Sequence, residues 1–340
     1  MRKLLNTLYI ITPEAYLSKD GLNIVVSVKQ EELFRIPAIN IEGIVTFGYM
    51  GASPGIMKLC SDNGISLSFL SQHGRFISRV QGTIKGNVLL RKKQYQLSDD
   101  ESWSLHVSQL MIGGKIQNYR NILRRYIRDY GENKDVNKAI HILELAKRNA
   151  LVTQDKTTLI GYEGMASNAY FEVLPVLILN QKADFPFHGR NRRPPRDAVN
   201  AMLSFTYTMI ANDVAAALET IGLDPYVGFL HTLRPGRTAL ALDMMEELRA
   251  YLGDRFVLSL INKRQITAKD FLFQGDNGII MTDKGKKAFI SAWQSRKREV
   301  IIHPYLDEKV EIGLLPYVQA MLMARYIRQD IDNYPVFLIK

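Results

Sequence analysis

Residues 99–131 read "DDESWSLHVSQLMIGGKIQNYRNILRRYIRDYG", and the hydrophobic period of the chain changes there. Apolar residues recur at helical spacing, acids crowd the start, and Gly131 closes the stretch. What precedes it is patterned differently. "LNTLYII" opens as a strand, and "AYLSKDGLNIVVSV" places Asp20-Gly21 between two strand-like runs, a strong hairpin signal. "RIPAINIEGIVTFG" is broken by Pro37 and Gly43, and "ISLSFLS" and "FISRVQG" flank a turn at "QHGR". One helix interrupts this region: in "SPGIMKLCSDNG", Ser53 is placed to cap, Pro54 suits the first turn, and Asn63-Gly64 can end it.

After residue 131, helical patterns follow near 135–149, 155–180, 196–221, 238–251, 282–298 and 313–331. The expected fold class is therefore α+β. A small N-terminal β-rich domain (1–90) leads through a polar linker (91–100) to a larger all-α domain (101–340). No internal repeat, low-complexity tract or glycine-rich phosphate loop is present.

Composition narrows the function classes. The 340 residues are 46% hydrophobic, which argues against general disorder. No apolar run approaches the roughly 18 residues that span a bilayer, and "MRKLLNTLYIITPEAY" lacks the unbroken apolar core and cleavage site of a signal peptide. A single cysteine, Cys60, excludes an intramolecular disulfide and a cysteine-based zinc site, and fits a cytoplasmic setting without membrane partners. The net charge of +10 favours a polyanionic partner.

Two stretches carry candidate chemistry. In "GFLHTLRPGRTALALDMMEELR" (228–249), His231 precedes a Pro235-Gly236 loop, and Asp243, Glu246 and Glu247 follow on a helix. Asp243 shares a face with each glutamate, three and four residues on, and acids among Ala239, Leu242, Met244 and Met245 are costly to bury unless paired or bound to a cation. A solvated stripe paired with Arg237 or Arg249 accounts for the same acids, and a lone histidine beside Phe229 and Leu230 is more often structural than a ligand. In "GYEGMASNAY" (161–170), Glu163 sits among small residues that would let another backbone approach. A close-packed crossing with Glu163 on its wet side is the plainer reading. Together, Glu163, His231 and Glu246 offer two carboxylates and an imidazole, a set suited to Mg²⁺ or Mn²⁺.

Basic segments supply the other half. "HGRNRRPPR" carries Arg190, Arg192, Arg193 and Arg196, just before a helix that Asp197 is placed to cap. The long helix carries Lys115, Arg120, Arg124, Arg125 and Arg128, and "KGKKAFISAWQSRKR" adds Lys286 and Lys287. Any one cluster is ordinarily a solvated face; three in so basic a chain point to phosphate contacts. His188 lies exposed or near DNA in the arginine-rich loop, and His303 in "IIHPY" reads as structural.

The blocks "GYEGMASNAYFEVL", "FHGRNRRPPRDAVNAMLSFTYTMI" and "DPYVGFLHTLRPGRTALALDMMEELR", in that order, resemble the CRISPR-associated integrase family of the spacer-acquisition module, most closely its type I-C branch. The resemblance implies a metal-dependent DNA integrase and endonuclease. Its Mn²⁺ or Mg²⁺ would be held by Glu163, His231 and Glu246, with Asp243 as a supporting acid. The reaction implied is attack by the 3′-hydroxyl of a short DNA fragment on a phosphodiester at a CRISPR repeat border. The implied partners are DNA, a second copy of the chain joined through the β domain, and a small ferredoxin-like companion subunit. DNA would run along Arg190, Arg192, Arg193, Arg196, Arg124, Arg128, Arg234, Arg237, Lys286 and Lys287. Two other functions use the same residues differently: a metal-dependent nuclease with water as nucleophile, and a non-catalytic basic scaffold for nucleic acid.

Overall fold

The computed structural model describes residues 6–12, 14–48, 51–72, 76–80, 82, 88–192, 194–275 and 278–339. Arg193, and residues 73–75 of the expected turn, lie outside the described residues. Two four-stranded sheets build the N-terminal region. The first has the order β1 (Thr7–Ile10), β5 (Gly43–Phe47), β7 (Ser66–Leu70), β8 (Phe76–Val80), parallel except for the last pair. The second runs β4 (Glu31–Pro37), β3 (Asn23–Val28), β2 (Tyr16–Asp20), β6 (Gly51–Ala52). The Asp20-Gly21 signal is met: β2 and β3 form a hairpin, and Gly21 takes φ +56° at its tip, where a side chain would be strained. Helix α1 (Pro54–Asn63) forms between the expected signals. The Ser53 hydroxyl accepts from the Ile56 N–H at 3.2 Å, and Gly64 ends the helix in the left-handed region.

The first sheet joins two hydrophobic cores, and the period-2 alternation of its strands decides which residue enters which. Ile10, Ile44 and Leu67 face a core with Leu17, Ile24 and Ile56. Tyr9, Phe47 and Leu70 face the larger helical core, where Phe47 stacks on Phe205 at 5.4 Å. Helices α2 (Val88–Asp99), α3 (Glu101–Tyr130), α4 (Lys134–Ala150), α5 (Lys156–Leu177) and α6 (Ala198–Ile221) follow, and then α7 (Ala239–Leu248). A π-helical turn (Arg249–Asp254) joins α7 to α8 (Arg255–Asn262), with α9 (Asp283–Lys297) and α10 (Leu315–Ile327) completing the set. Asp100 caps α3 through the Trp103 N–H, and Asp197 caps α6 through the Asn200 N–H, the second as the sequence led one to expect.

Three expectations are corrected. Residues 91–99 are helical rather than a linker, because Leu90, Gln94 and Leu97 turn one face inward and the Gln94 amide binds the carbonyls of Asp224 and Val227. The helix expected near 238–251 does not end there: it runs on through the π-helical turn and α8 to Asn262 without a break. The C-terminal region is not all-α: β9 (Phe271–Phe273) pairs with β10 (Ile279–Met281), and β11 (Val300–Ile302) with β12 (Lys309–Glu311). The first of these hairpins had a legible signal in "FLFQGDNGIIM", two apolar runs around a glycine-flanked polar turn.

Candidate functional site

Helix α7 is buried on every side, yet it carries three acids, and each has a different fate. Asp243 is fully buried and serves the loop before the helix. Its Oδ2 accepts from the backbone N–H groups of Phe229 (2.6 Å) and Leu230 (3.0 Å), and its Oδ1 from the His231 N–H (2.9 Å). The same Oδ1 lies 2.6 Å from His231 Nδ1. This fixes the imidazole and leaves Nε2 as its free nitrogen, the arrangement that orients a metal-binding histidine. Gly228 makes the close approach possible: a Cβ there would lie 2.5 Å from Asp243 Oδ2 and 2.7 Å from the α7 backbone.

Glu247, about 100° further round the helix, points the other way. It accepts from Tyr334, from the Phe337 N–H (2.5 Å) and from Gln319 (3.1 Å to each oxygen), and so pins the C-terminal tail. Burial outweighs these donors and pushes its carboxyl up to about 7. His303 belongs to this same structural network through Gln319, 3.0 Å from its Nε2, as its sequence context suggested.

Glu246 faces Glu163. Both carboxylates pair with the ammonium of Lys115, Glu246 Oε2 at 2.7 Å, and Glu246 Oε1 meets Arg249 at 2.9 Å. Burial alone would raise the Glu246 carboxyl, but Arg249 and Lys115, helped by His231, outweigh it and hold it at about 2. In Glu163 burial is likewise overcome, by Lys115 and by the Ser167 hydroxyl at 2.8 Å, and the carboxyl is held below its ordinary value. The small residues of α5 divide: Ala166 and Ala169 are buried, while the two glycines beside Glu163 serve no close crossing. An added Cβ at Gly161 or Gly164 meets nothing within 4 Å, so the space beside Glu163 is open.

Two carboxylates and an imidazole nitrogen are a donor set for a hard divalent ion. Glu246 Oε2 lies near Lys115 but is buried without an aligned hydrogen bond, as an oxygen with spare coordinating capacity would be. Among the described residues no three of His, Cys, Asp and Glu stand close enough to enclose an ion; the charge between the two carboxylates is Lys115. The residues fit the ion in chemistry, with the lysine in its place.

Beside this cluster lies a cleft of about 1330 Å³, with His231 in its wall. Arg192, Arg234, Arg237, Arg249, Arg79 and Lys286 line it, and no acid does. Arg192 and Arg234 are exposed. Arg190 also lines it but is held in the wall, bound to Asn200 (2.6 Å) and Ser204 (3.0 Å) and stacked 5.3 Å from the Tyr207 ring. Lys286 is mostly buried and pairs with Asp283. Arg124, Arg128, Arg196 and Lys287 lie outside the lining, and Arg128 pairs with Asp129.

The sequence reading overlooked two contributors, Lys115 and Asp254, and had named a third, Arg249, only as a partner for a solvated acidic stripe. Lys115, grouped there with the basic surface, is 1% exposed. Its spacing gave it away: it falls four residues from both Met111 and Tyr119, on the apolar stripe of α3. Arg249 and Asp254 face inward from the π-helical turn, a feature frequent at functional sites. Asp254 bonds the Tyr207 hydroxyl at 2.5 Å, and burial pushes its carboxyl up to about 6. No local pattern announces a π turn.

Comparison with known proteins adds four findings. The family described as CRISPR associated protein Cas1 matches residues 8–295. "CRISPR-associated endonuclease Cas1 1" of Chlorobaculum tepidum is 46% identical over 341 residues, covering 99% of each chain. Among solved structures, a casposase bound to integration product superposes with a TM-score of 0.83 at 19% identity, covering 97% of this chain and 93% of that one. A Cas6-RT-Cas1–Cas2 complex gives 0.84 at 20% identity, covering 100% of this chain and 37% of that one.

Proposed function

The chain belongs to the Cas1 family of CRISPR-associated proteins, and from that premise we propose that it is a metal-dependent DNA integrase with an associated endonuclease activity. In this reading it joins the 3′-hydroxyl of a short DNA fragment to a phosphodiester at a CRISPR repeat border. One observation carries it: Glu163 and Glu246 converge on a single buried positive charge beside an acid-free, arginine-lined cleft that has His231 in its wall.

Glu163, His231 and Glu246 are the proposed holders of Mn²⁺ or Mg²⁺, which when bound supplies Lewis acidity to the phosphodiester. Asp243 keeps Nε2 of His231 directed away from the loop. Arg249 and Lys115 keep Glu246 ionised at neutral pH. Arg192, Arg234 and Arg237 are placed to hold backbone phosphates, which position DNA without reading its sequence. We leave Glu247 out of the metal set, because its carboxylate is taken up by Tyr334 and the Phe337 N–H.

Assembly follows the family. We assign dimerisation to the β region (1–90) and catalysis to 101–340. The edge strand β4 supports this, since Leu33 and Phe34 are exposed on it, at 54% and 44%. A small ferredoxin-like companion subunit is the further partner, in line with the Cas1–Cas2 complex above. No helix among the described residues is long and apolar enough to cross a membrane; the cytoplasmic site of action is part of the proposal.

The test is an integration assay with a fluorescent DNA fragment, a repeat-bearing plasmid, the companion subunit and Mn²⁺ or Mg²⁺. Joined products are expected, and His231→Ala should abolish them. Products that persist in that variant would remove the proposed metal site. Hydrolysis without joining would favour the nuclease, and binding with neither reaction would favour the scaffold.

A further inference from the structure

A second cleft, of about 850 Å³, shares no lining residue with the arginine-lined one. It lies between the C-terminal half of α3 and helices α8 and α9. Its volume falls within the range of small-ligand sites, about 300–1,000 Å³.

Four cations line it, Arg125, Arg255, Lys263 and Arg296, against two acids, Asp129 and Glu299. The acids are engaged, Asp129 with Arg125 and Arg128, Glu299 with Arg296. Arg255 has an aromatic partner instead. Its guanidinium and that of Arg296 each lie 4.9 Å from the centroid of the Tyr251 ring. Arg296 Nε is buried without an acceptor. Burial, and the like charges of Arg125 and Arg296, push the Arg255 pKa down against the pull of Tyr251 and Glu299. An anion between the guanidinium groups would relieve both the repulsion and the missing acceptor.

The other walls suit the rest of such a ligand. Helix α9 presents Ala288, Ser291, Ala292 and Ser295, small residues that keep its side open and offer hydroxyl donors. At the rim Tyr126 and Tyr130 stand 5.3 Å apart, and Tyr130 is 62% exposed. An exposed ring and two arginines lining one cleft are the combination that stacks a nucleobase and holds its phosphate.

We propose that this cleft is a nucleotide-binding site, with phosphate on Arg255 and Arg296 and the base stacked on Tyr130. A free mononucleotide and the terminal nucleotide of a DNA strand share this chemistry.

Fluorescently tagged ATP in EDTA, followed by anisotropy on the full chain, tests it. Arg255→Gln should weaken binding at least tenfold and Tyr130→Ala severalfold. Ser295→Trp, at an exposed position that leaves the core untouched, should block the cleft even if Arg255→Gln fails to fold. Arg234→Gln/Arg237→Gln, in the other cleft, should retain binding. A short single-stranded oligonucleotide that competes better than ATP identifies a strand terminus as the ligand, and ATP competing better identifies a free nucleotide. The proposal is overturned if Ser295→Trp binds like the parent, if binding follows Arg234 and Arg237 instead, or if inorganic pyrophosphate competes as well as the nucleotide.

Discussion

Replacing Lys115 by methionine removes one charge and little volume from the centre of the site. Glu246 would keep only Arg249 as a cationic partner, and Glu163 would keep only the Ser167 hydroxyl. Breaking a buried ion pair by removing one partner costs about 3–5 kcal/mol, because the other charge stays buried. The entropy of unfolding is about 2.1 cal/mol/K per residue, or about 0.7 kcal/mol/K over the chain, so the loss corresponds to a fall in Tm of about 4–7 °C. The response to metal distinguishes this from a simple packing defect. In the parent protein, an entering ion must displace the ammonium from between the two carboxylates; in Lys115→Met it need not. Mn²⁺ should therefore bind the variant more tightly and raise its Tm by more. A tenfold gain in affinity adds about 1.4 kcal/mol at saturating ion, or about 2 °C on the same scale. Differential scanning calorimetry with and without Mn²⁺, with titration calorimetry for the affinity, makes the measurement. Equal Mn²⁺ increments in parent and variant would refute the idea that Lys115 occupies the cation's place. An unchanged metal-free Tm would refute the buried ion pair itself.

Three further outcomes are expected. Asp243→Asn keeps the shape but has a single acceptor oxygen for four donors; loss of histidine orientation should lower Mn²⁺ affinity about 10–100-fold by titration calorimetry, and unchanged affinity would show that the imidazole is held by something else. Arg192→Gln/Arg234→Gln should lower the slope of log K for DNA against log salt by about 2, and an unchanged slope would take these side chains off the DNA path. Glu247, with a folded value of about 7 against its ordinary 4.5, takes up a proton on folding. Its contribution is complete below its unfolded value and is lost as pH rises through 7; Asp254, at about 6, acts in the same direction. The Tm should fall between pH 5 and 8, and Glu247→Gln should flatten that fall, whereas parallel curves would remove Glu247 as its source.

The sequence by itself determined whatever depends on neighbours a few residues apart. The caps at Ser53 and Asp197 and the Asp20-Gly21 hairpin are local hydrogen-bond and spacing constraints, and each stands as read; the switch from strand to helix stands in kind but comes at Val88, with α2, rather than near residue 99. The blocks around Glu163, His231 and Glu246 made the family legible. They did not distinguish three acids on one helix, since Asp243, Glu246 and Glu247 share their local composition. Only the tertiary structure separated them, by what packs on each side of α7: the His231 loop, Lys115 of α3, and the C-terminal tail. The basic residues divided in the same way. Arg190 and Arg192 stand two apart in one loop, yet one is fixed in the wall and the other is exposed, because Asn200, Ser204 and Tyr207 of α6 meet only the first. A charge's function depends on its burial and partners, and contacts between residues as far apart as Lys115 and Glu246 are set by helix packing that no local spacing encodes.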